Sequence, residues 1–312
     1  MALPFVLKRG LSTSSAMNAV IKNVTIVGGG LMGSGIAQVA AQTGHNVTLV
    51  EVNPDLIKKA EDNIVKSLAR VAKKQFKDDP EGGKKFIAES QSRIKGTTDI
   101  AEAVKDSDLV VEAIVENMEI KHKFFKTLDE VAPAKTMFAS NTSSLSIGEI
   151  ASVTKRKDRF GGLHFFNPVP VMKLLEVVRI PETSEETYQA FMAWGKAIGK
   201  TCVTCKDTPG FIVNRLLVPY VAEAIRMMER GDASPRDIDT AMKLGAGYPM
   251  GPIELADYSG HDTNGAVMEG WHKKFPDNPL FEPNESVRKL VQENKLGVKT
   301  GEGFYKYTTN KL

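Results

Sequence analysis

The sequence predicts an α/β protein, in which a mostly parallel sheet domain precedes a smaller, all-helical domain. Three observations carry this expectation. Short β-branched runs alternate with helical patterns up to about residue 206. The first run leads straight into Gly28-Gly29-Gly30-Leu31-Met32-Gly33, a Gly-x-Gly-x-x-Gly segment that opens a helix. At Asp207-Thr208-Pro209-Gly210 the alternation stops, and only helical patterns follow. The expected division is a presequence at 1–20, a sheet domain at 21–206 with a helical insertion at about 57–95, and a helical domain at 207–312.

Taken in order, Lys22 to Gly28 is a short strand ending in glycines, followed by a small-residue helix from Ser34 to Thr43. After Gly44 a second strand, Asn46 to Val50, ends at Glu51, 18 residues beyond Gly33. Strand, glycine turn, helix, strand and acid in that order are the signature of a Rossmann-type dinucleotide site. Gly28 allows the tight turn, Gly30 lets a pyrophosphate approach the backbone, and Gly33 lets helix and strand pack closely. Gly29, Leu31 and Met32 complete the turn, and the helix N-terminus offers N–H groups to phosphate. Glu51 is placed to accept from a ribose 2′-hydroxyl and would repel a 2′-phosphate. No Arg follows in Val52 to Asp55, so NAD is favoured over NADP.

The insertion carries Lys66, Arg70, Lys73, Lys74 and Lys77 mostly on one helical face, with Val65, Leu68, Ala72 and Phe76 opposite. No acid occurs from residue 63 to 77, so the stripe reads as a solvated face or as a landing surface for a polyphosphate tail. Asp108 to Ile114 and Thr136 to Ser140 are the next strands, with Glu116 and a helix from Met118 to Val131 between them. Ligands of open parallel sheets collect beyond the carboxyl ends of strands, which is where Glu116 and Ser143 fall. The Asn141-Thr142-Ser143-Ser144 run can also cap a helix from Leu145 to Ala151.

His164 lies on a short aromatic strand, Gly161 to Pro168, and Glu176 lies twelve residues on inside an apolar run, Met172 to Val178. Strand, turn and strand would bring them together. A buried carboxylate needs a partner, and an imidazole oriented by one is a suitable general base for dehydrogenating an alcohol. His45, His122 and His272 compete poorly, and His261 is the rival. Cys202 and Cys205 are the two cysteines of the chain and have no second pair to complete a Cys₄ site, so no metal is expected. Beyond the sheet domain, Phe211 to Arg230 is a long helical pattern with Asn214 on its first turns. Ser234 to Met242 is a capped helix, and two or three more continue to about Asn294. Their apolar excess suggests a homodimer interface.

Charge and composition exclude other classes. Lys and Arg number 41 against 38 acids, a net of +3, too weak and mixed for a nucleic-acid partner. No apolar run is long enough to span a membrane. Glu51 is the first acid in the chain, and Lys8, Arg9 and the Ser12 to Ser15 cluster precede it, as in an organellar presequence. Asn310-Lys311-Leu312 is a weak variant of the peroxisomal small-Lys-Leu address.

Five ordered motifs point to one family: Gly28 to Gly33, Ser140 to Ser144, Gly162 to Pro168, Lys206 to Arg215 and Lys299 to Tyr305. Over about residues 20–307 the chain resembles the short-chain L-3-hydroxyacyl-CoA dehydrogenases of mitochondrial fatty-acid β-oxidation. The resemblance implies NAD-dependent oxidation of an L-3-hydroxyacyl-CoA thioester by a homodimer in the mitochondrial matrix. It implies His164 as base, Glu176 as its orienting partner, and Ser143 and Asn214 as polar groups that hold the substrate oxygen and the imidazole. Glu116, Lys121, Ser143, Asn167 and Lys299 resemble NAD contacts, and Ser67 and Lys74, together with Ser143, resemble contacts to the coenzyme A substrate. This turns the basic stripe toward coenzyme A. Glu51 stands where the animal enzymes carry Asp, and His261 where an apolar residue is more usual. A non-catalytic protein on the same fold, or another NAD-dependent 3-hydroxyacid dehydrogenase, is the alternative. The intact His164–Glu176 pair argues for the enzyme.

Overall fold

The computed structural model describes residues 21–307, so the expected presequence at 1–20 and the Asn310-Lys311-Leu312 terminus lie outside the described residues. The described chain divides into two compact units, 21–142 with 147–204, and 143–146 with 205–307.

In the first unit, β1 (Asn23–Val27) leads into α1 (Leu31–Gln42), followed by β2 (Asn46–Val50), α2 (Pro54–Gln75), α3 (Pro80–Ser92) and β3 (Ile94–Thr97). Then come α4 (Ile100–Val104), β4 (Leu109–Glu112), α5 (Met118–Val131) and β5 (Met137–Ser140). The short α6 (Ile147–Ala151), β6 (Phe160–Phe165), β7 (Leu174–Arg179), α7 (Glu185–Ala197) and β8 (Thr201–Lys206) follow, and the division between units falls within β8. Among the described residues these strands form one eight-stranded sheet in the order β3-β2-β1-β4-β5-β6-β7-β8. Pairing is parallel from β3 to β6 and turns antiparallel at β6–β7. Helices on both faces explain why β1, β4 and β5 read as continuous apolar runs, since such strands are buried on both sides. Polar caps start the longer helices. Asn53 accepts from Leu56 N–H ahead of Pro54, Asn117 from Ile120 N–H, and Ser184 from Thr187 N–H.

Several expectations shift. Helix α1 begins at Leu31 rather than Ser34, because extended Gly30 serves as its N-cap. The insertion is two helices broken at Asp79-Pro80, and its last residues belong to β3, a half-exposed edge strand whose Lys95-Gly96 centre hides it from a hydrophobic pattern. The buried line of α2 is Ala60, Ile64, Leu68 and Ala72, while Val65 is only half-buried and Lys77 lies past the helix end. Ser143–Ser146 groups with the helical unit. Asn214 Nδ2 donates to Ser143 O at 3.4 Å, and Ser146 Oγ donates to Asp207 Oδ2 at 2.7 Å.

The second unit continues with α8 (Val213–Glu229), α9 (Pro235–Gly245), α10 (Pro252–Ser259), α11 (His261–Lys274) and α12 (Glu285–Gln292). Val221, Ala224, Ile225, Ile238, Ile253, Ala256 and Val287 form its core. Residues 297–306 return as a bridged turn anchored on the buried Asp257 of α10. That carboxylate accepts the N–H groups of Phe304 and Tyr305 at 2.8 and 2.9 Å and the Tyr307 hydroxyl at 2.8 Å. A side chain at residue 303 would meet Asp257 Oδ1 at 2.2 Å, which accounts for Gly303 in the Lys299–Tyr305 motif.

Gly33 performs the same service where α1 crosses β1, since a Cβ there would lie 1.7 Å from the Gly28 carbonyl oxygen. Gly33→Ala is therefore expected to cost about 1–3 kcal/mol. It would be read as a lower urea midpoint at unchanged slope. An unmoved midpoint would mean that α1 can slide off the turn.

Candidate active site

The glycine turn between β1 and α1 sits at the carboxyl edge of the parallel strands. Gly28 holds φ at +97°, a region open to glycine, and so turns the chain sharply. Gly29 N–H donates to Glu51 Oε1 at 2.6 Å, so the acid at the end of β2 is tied to the turn itself. Nothing lies within 4 Å of where a Gly30 Cβ would be. Helix α1 has no side-chain cap and no acid in its first turn, so its N-terminal N–H groups and positive dipole end are available to an anion. That cradle fits the pyrophosphate of a dinucleotide, with Leu31 exposed and Met32 half-buried beside it.

At the ends of β4 and β5 the structure revises one expected contact. Glu116 is partly exposed there, but the Lys121 side chain is only 1% exposed. Its ammonium lies 2.5 Å from Glu112 Oε1 and 3.3 Å from Glu116 Oε2. It is thus beneath Glu116 rather than on the surface. Glu112 escaped the sequence reading because it closes an apolar strand. The available signal was a strand-end acid with a Lys nine residues later, on the helix that follows. Asn167 is exposed after β6. Lys299 lies in the C-terminal turn, paired to both oxygens of Asp262 at 2.5 and 2.6 Å. Ser67 and Lys74 lie on α2, two helical turns apart and so on one face.

His164 on β6 and Glu176 on β7 are direct partners in the antiparallel register. His164 Nδ1 lies 2.6 Å from Glu176 Oε2, and the carboxylate is wholly buried. Because an ionised carboxylate only accepts, Nδ1 carries the proton and Nε2 is the basic nitrogen. Phe166 packs against the imidazole with ring centroids 4.5 Å apart. The Lys200 ammonium donates to the carbonyls of Val169 and Met172, pinning the connection between the two strands.

His45, His122 and His261 have structural duties. His45 Nδ1 meets Ala40 O at 3.1 Å, and His122 Nε2 meets Glu149 O at 2.7 Å. His261, wholly buried, donates from Nε2 to Asp257 Oδ1 at 2.6 Å and packs edge-on against Phe304. It thus repeats the His–acid arrangement, but on the carboxylate that holds the C-terminal turn. Neither Cys202 nor Cys205 is in a disulfide, and burial pushes Cys202 above the usual thiol range. Among the described residues no group of three or more His, Cys, Asp or Glu could hold a metal ion.

Within the helical unit, Ser143 and Asn214 line one pocket of about 690 Å³. Its remaining walls are largely apolar and include Leu217, Val221, Val267, Met268 and Val287.

Two family models match the chain. "3-Hydroxyacyl-CoA dehydrogenase, NAD binding domain" covers residues 23–208, and the C-terminal domain of the same family covers 210–307. The chain belongs to the 3-hydroxyacyl-CoA dehydrogenase family. Its cofactor is NAD, the ligand of the family's first domain. Among relatives, the human mitochondrial hydroxyacyl-coenzyme A dehydrogenase is 58% identical over 296 residues, 95% of this chain and 94% of that protein. The Sus scrofa enzyme of the same name is 57% identical, covering 96% of this chain and 98% of its own. A solved (S)-3-hydroxybutyryl-CoA dehydrogenase from Ralstonia eutropha superposes with a TM-score of 0.87 at 43% identity, over 93% of this chain and all of the other.

His164→Gln is expected to lower kcat by roughly 10²–10⁴-fold, the range for loss of a general base. Glu176→Gln keeps a hydrogen bond but not the charge, so kcat should again fall while NADH binding stays near normal. The two defects are expected not to add, because they disable one unit. Steady-state kinetics of both single variants and the double variant decide it, and multiplicative losses would make His164 a core histidine.

Proposed function

We propose that this protein oxidises L-3-hydroxyacyl-CoA thioesters to 3-oxoacyl-CoA in fatty-acid β-oxidation, with His164 as general base. The observation that carries the reading is the His164–Glu176 pair, set on facing strands in a chain whose first domain is the family's NAD-binding domain. Held by the glycine turn and Glu51, NAD would supply the acceptor for the hydride that leaves C3 of the substrate. His164 Nε2 takes the hydroxyl proton, and the imidazolium that forms lies 2.6 Å from a buried carboxylate. In that low-polarity setting the attraction is far stronger than in water. Glu51 accepts from the adenine ribose, the Gly28–Gly33 turn cradles the pyrophosphate, and Glu116, Asn167 and Lys299 are the remaining cofactor contacts, with Ser143.

Ser143 and Asn214 hold the substrate oxygen, and the apolar pocket they line receives the acyl chain. Ser67 and Lys74 bind coenzyme A from the basic face of α2. The mitochondrial names of the human and Sus scrofa relatives, and the acid-poor N-terminus, support delivery to the mitochondrial matrix. Homodimerisation through the helical unit is supported by Leu216, Leu244 and Tyr258, which expose 69%, 83% and 67% of their surface.

NADH consumption with acetoacetyl-CoA is expected to exceed that with free acetoacetate by a wide margin, and Lys74→Ala should raise KM more than it lowers kcat. Equal rates on thioester and free acid would remove the coenzyme A reading. A fusion of residues 1–25 to a reporter should enter mitochondria. A reporter left in the cytosol, or peroxisomal import of the full chain through Leu312, would overturn the localisation.

A further inference from the structure

Five side chains at the carboxyl ends of β4 and β5 close a ring. Glu112, with no exposed surface, takes the Lys121 ammonium on Oε1 at 2.5 Å and the Ser140 hydroxyl on Oε2 at 2.6 Å. Ser140 Oγ accepts the Thr142 N–H at 3.2 Å, and Thr142 Oγ1 donates to Glu116 Oε1 at 2.5 Å. Glu116 Oε2 lies 3.3 Å from Lys121 Nζ, which completes the circuit. Two backbone bonds tie the ring to its surroundings. Ile114 N–H donates to Glu112 Oε1 at 2.8 Å. Asn141, inside the Ser140–Thr142 turn, accepts the N–H of Phe165 at 2.9 Å, and Phe165 is the residue after His164.

Stability alone is a poor reason for burying Glu112 and Lys121, because desolvating two charges offsets most of their attraction and an apolar pair of like volume does as well. The ammonium and the carboxylate supply direction. Lys121 has donors for Glu112 and Glu116 at once, and Glu116, 37% exposed, carries the ring's geometry to the surface.

We propose that Glu112 and Lys121 are a positioning pair. They aim Glu116 at the cofactor and brace the Ser140–Thr142 turn against the strand that bears His164. One buried carboxylate thereby sets both the cofactor contact and the base strand, and Lys121 acts on NAD through Glu116. The inference rests on Glu116 touching the cofactor, so the experiment separates the two claims.

NADH binding is titrated by fluorescence on the full chain, beside thermal melts and the KM for acetoacetyl-CoA. Glu116→Gln is expected to bind NADH about tenfold more weakly, as for a lost hydrogen bond to a charged group. Glu112→Gln combined with Lys121→Met removes both buried charges together and should melt cooperatively with a similar loss of about tenfold. Its KM for acetoacetyl-CoA should change less than its affinity for NADH, because Ser67 and Lys74 of α2 are not members of the ring. Adding Glu116→Gln to that pair should cost little more. Thr142→Val opens the ring without unpairing a charge and should weaken NADH by about threefold, which decides the matter if the charge-free variant does not fold. Parental affinity in Glu116→Gln would overturn its cofactor role. A weak Glu116→Gln beside parental affinity in the folded charge-free variant, or in Thr142→Val, would overturn the positioning pair.

Discussion

The carboxylate of Glu176 has no exposed surface, and an ionised group in that position survives only against a fixed partner. His164 supplies it from directly across the β6–β7 ladder. This single demand explains why the sheet changes direction there. A parallel neighbour would need a long crossover, whereas an antiparallel one brings the acid twelve residues away to face the imidazole. The connection must then hold still. Lys200 grips two of its carbonyls, and Val169 is buried within it. Everything upstream places β6 beside β5, where the parallel strands deliver their carboxyl ends.

Local chemistry made the main frame readable. β2 and α5 match their expected bounds, because a β-branched run and an Asn cap leave little choice. The His–Glu pairing was legible because an acid inside an apolar run needs a partner, and strand, turn and strand bring His164 opposite it. What stayed hidden was whatever depends on distant neighbours. Strand β3 has a Lys-Gly centre that resembles loop, and it is a strand because β2 presents a free edge. The grouping of Ser143–Ser146 with the helical unit rests on contacts to Asp207 and Asn214, more than sixty residues away. Lys121 looks like any helical lysine until its burial beneath Glu116 is seen.

Buried ionic groups recur in both units and do different work. At the end of β4, Glu112 and Lys121 hold Glu116, which reaches the surface. In the helical unit Asp257 collects donors from α11 and from the returning turn, and His261 is one of them. Arg156 shows a third use. Its guanidinium pairs with Asp129 at 2.6 Å and caps the end of α5 by donating to the carbonyls of Asp129, Ala132 and Pro133. Each site satisfies its charge by several hydrogen bonds, which is the condition for keeping one away from water.

Asp257 also imposes an order on biosynthesis. Its carboxylate sits on α10, yet three of its donors belong to Phe304, Tyr305 and Tyr307. A ribosome that has delivered α10 but not residue 304 presents a charged group with no backbone to satisfy it, and water must keep it solvated. The sheet unit's strands up to β7 are all translated before that point. The nascent chain can therefore complete a Rossmann-type sheet while its helical partner waits, open, for the last stretch of polypeptide to emerge and close over the acid.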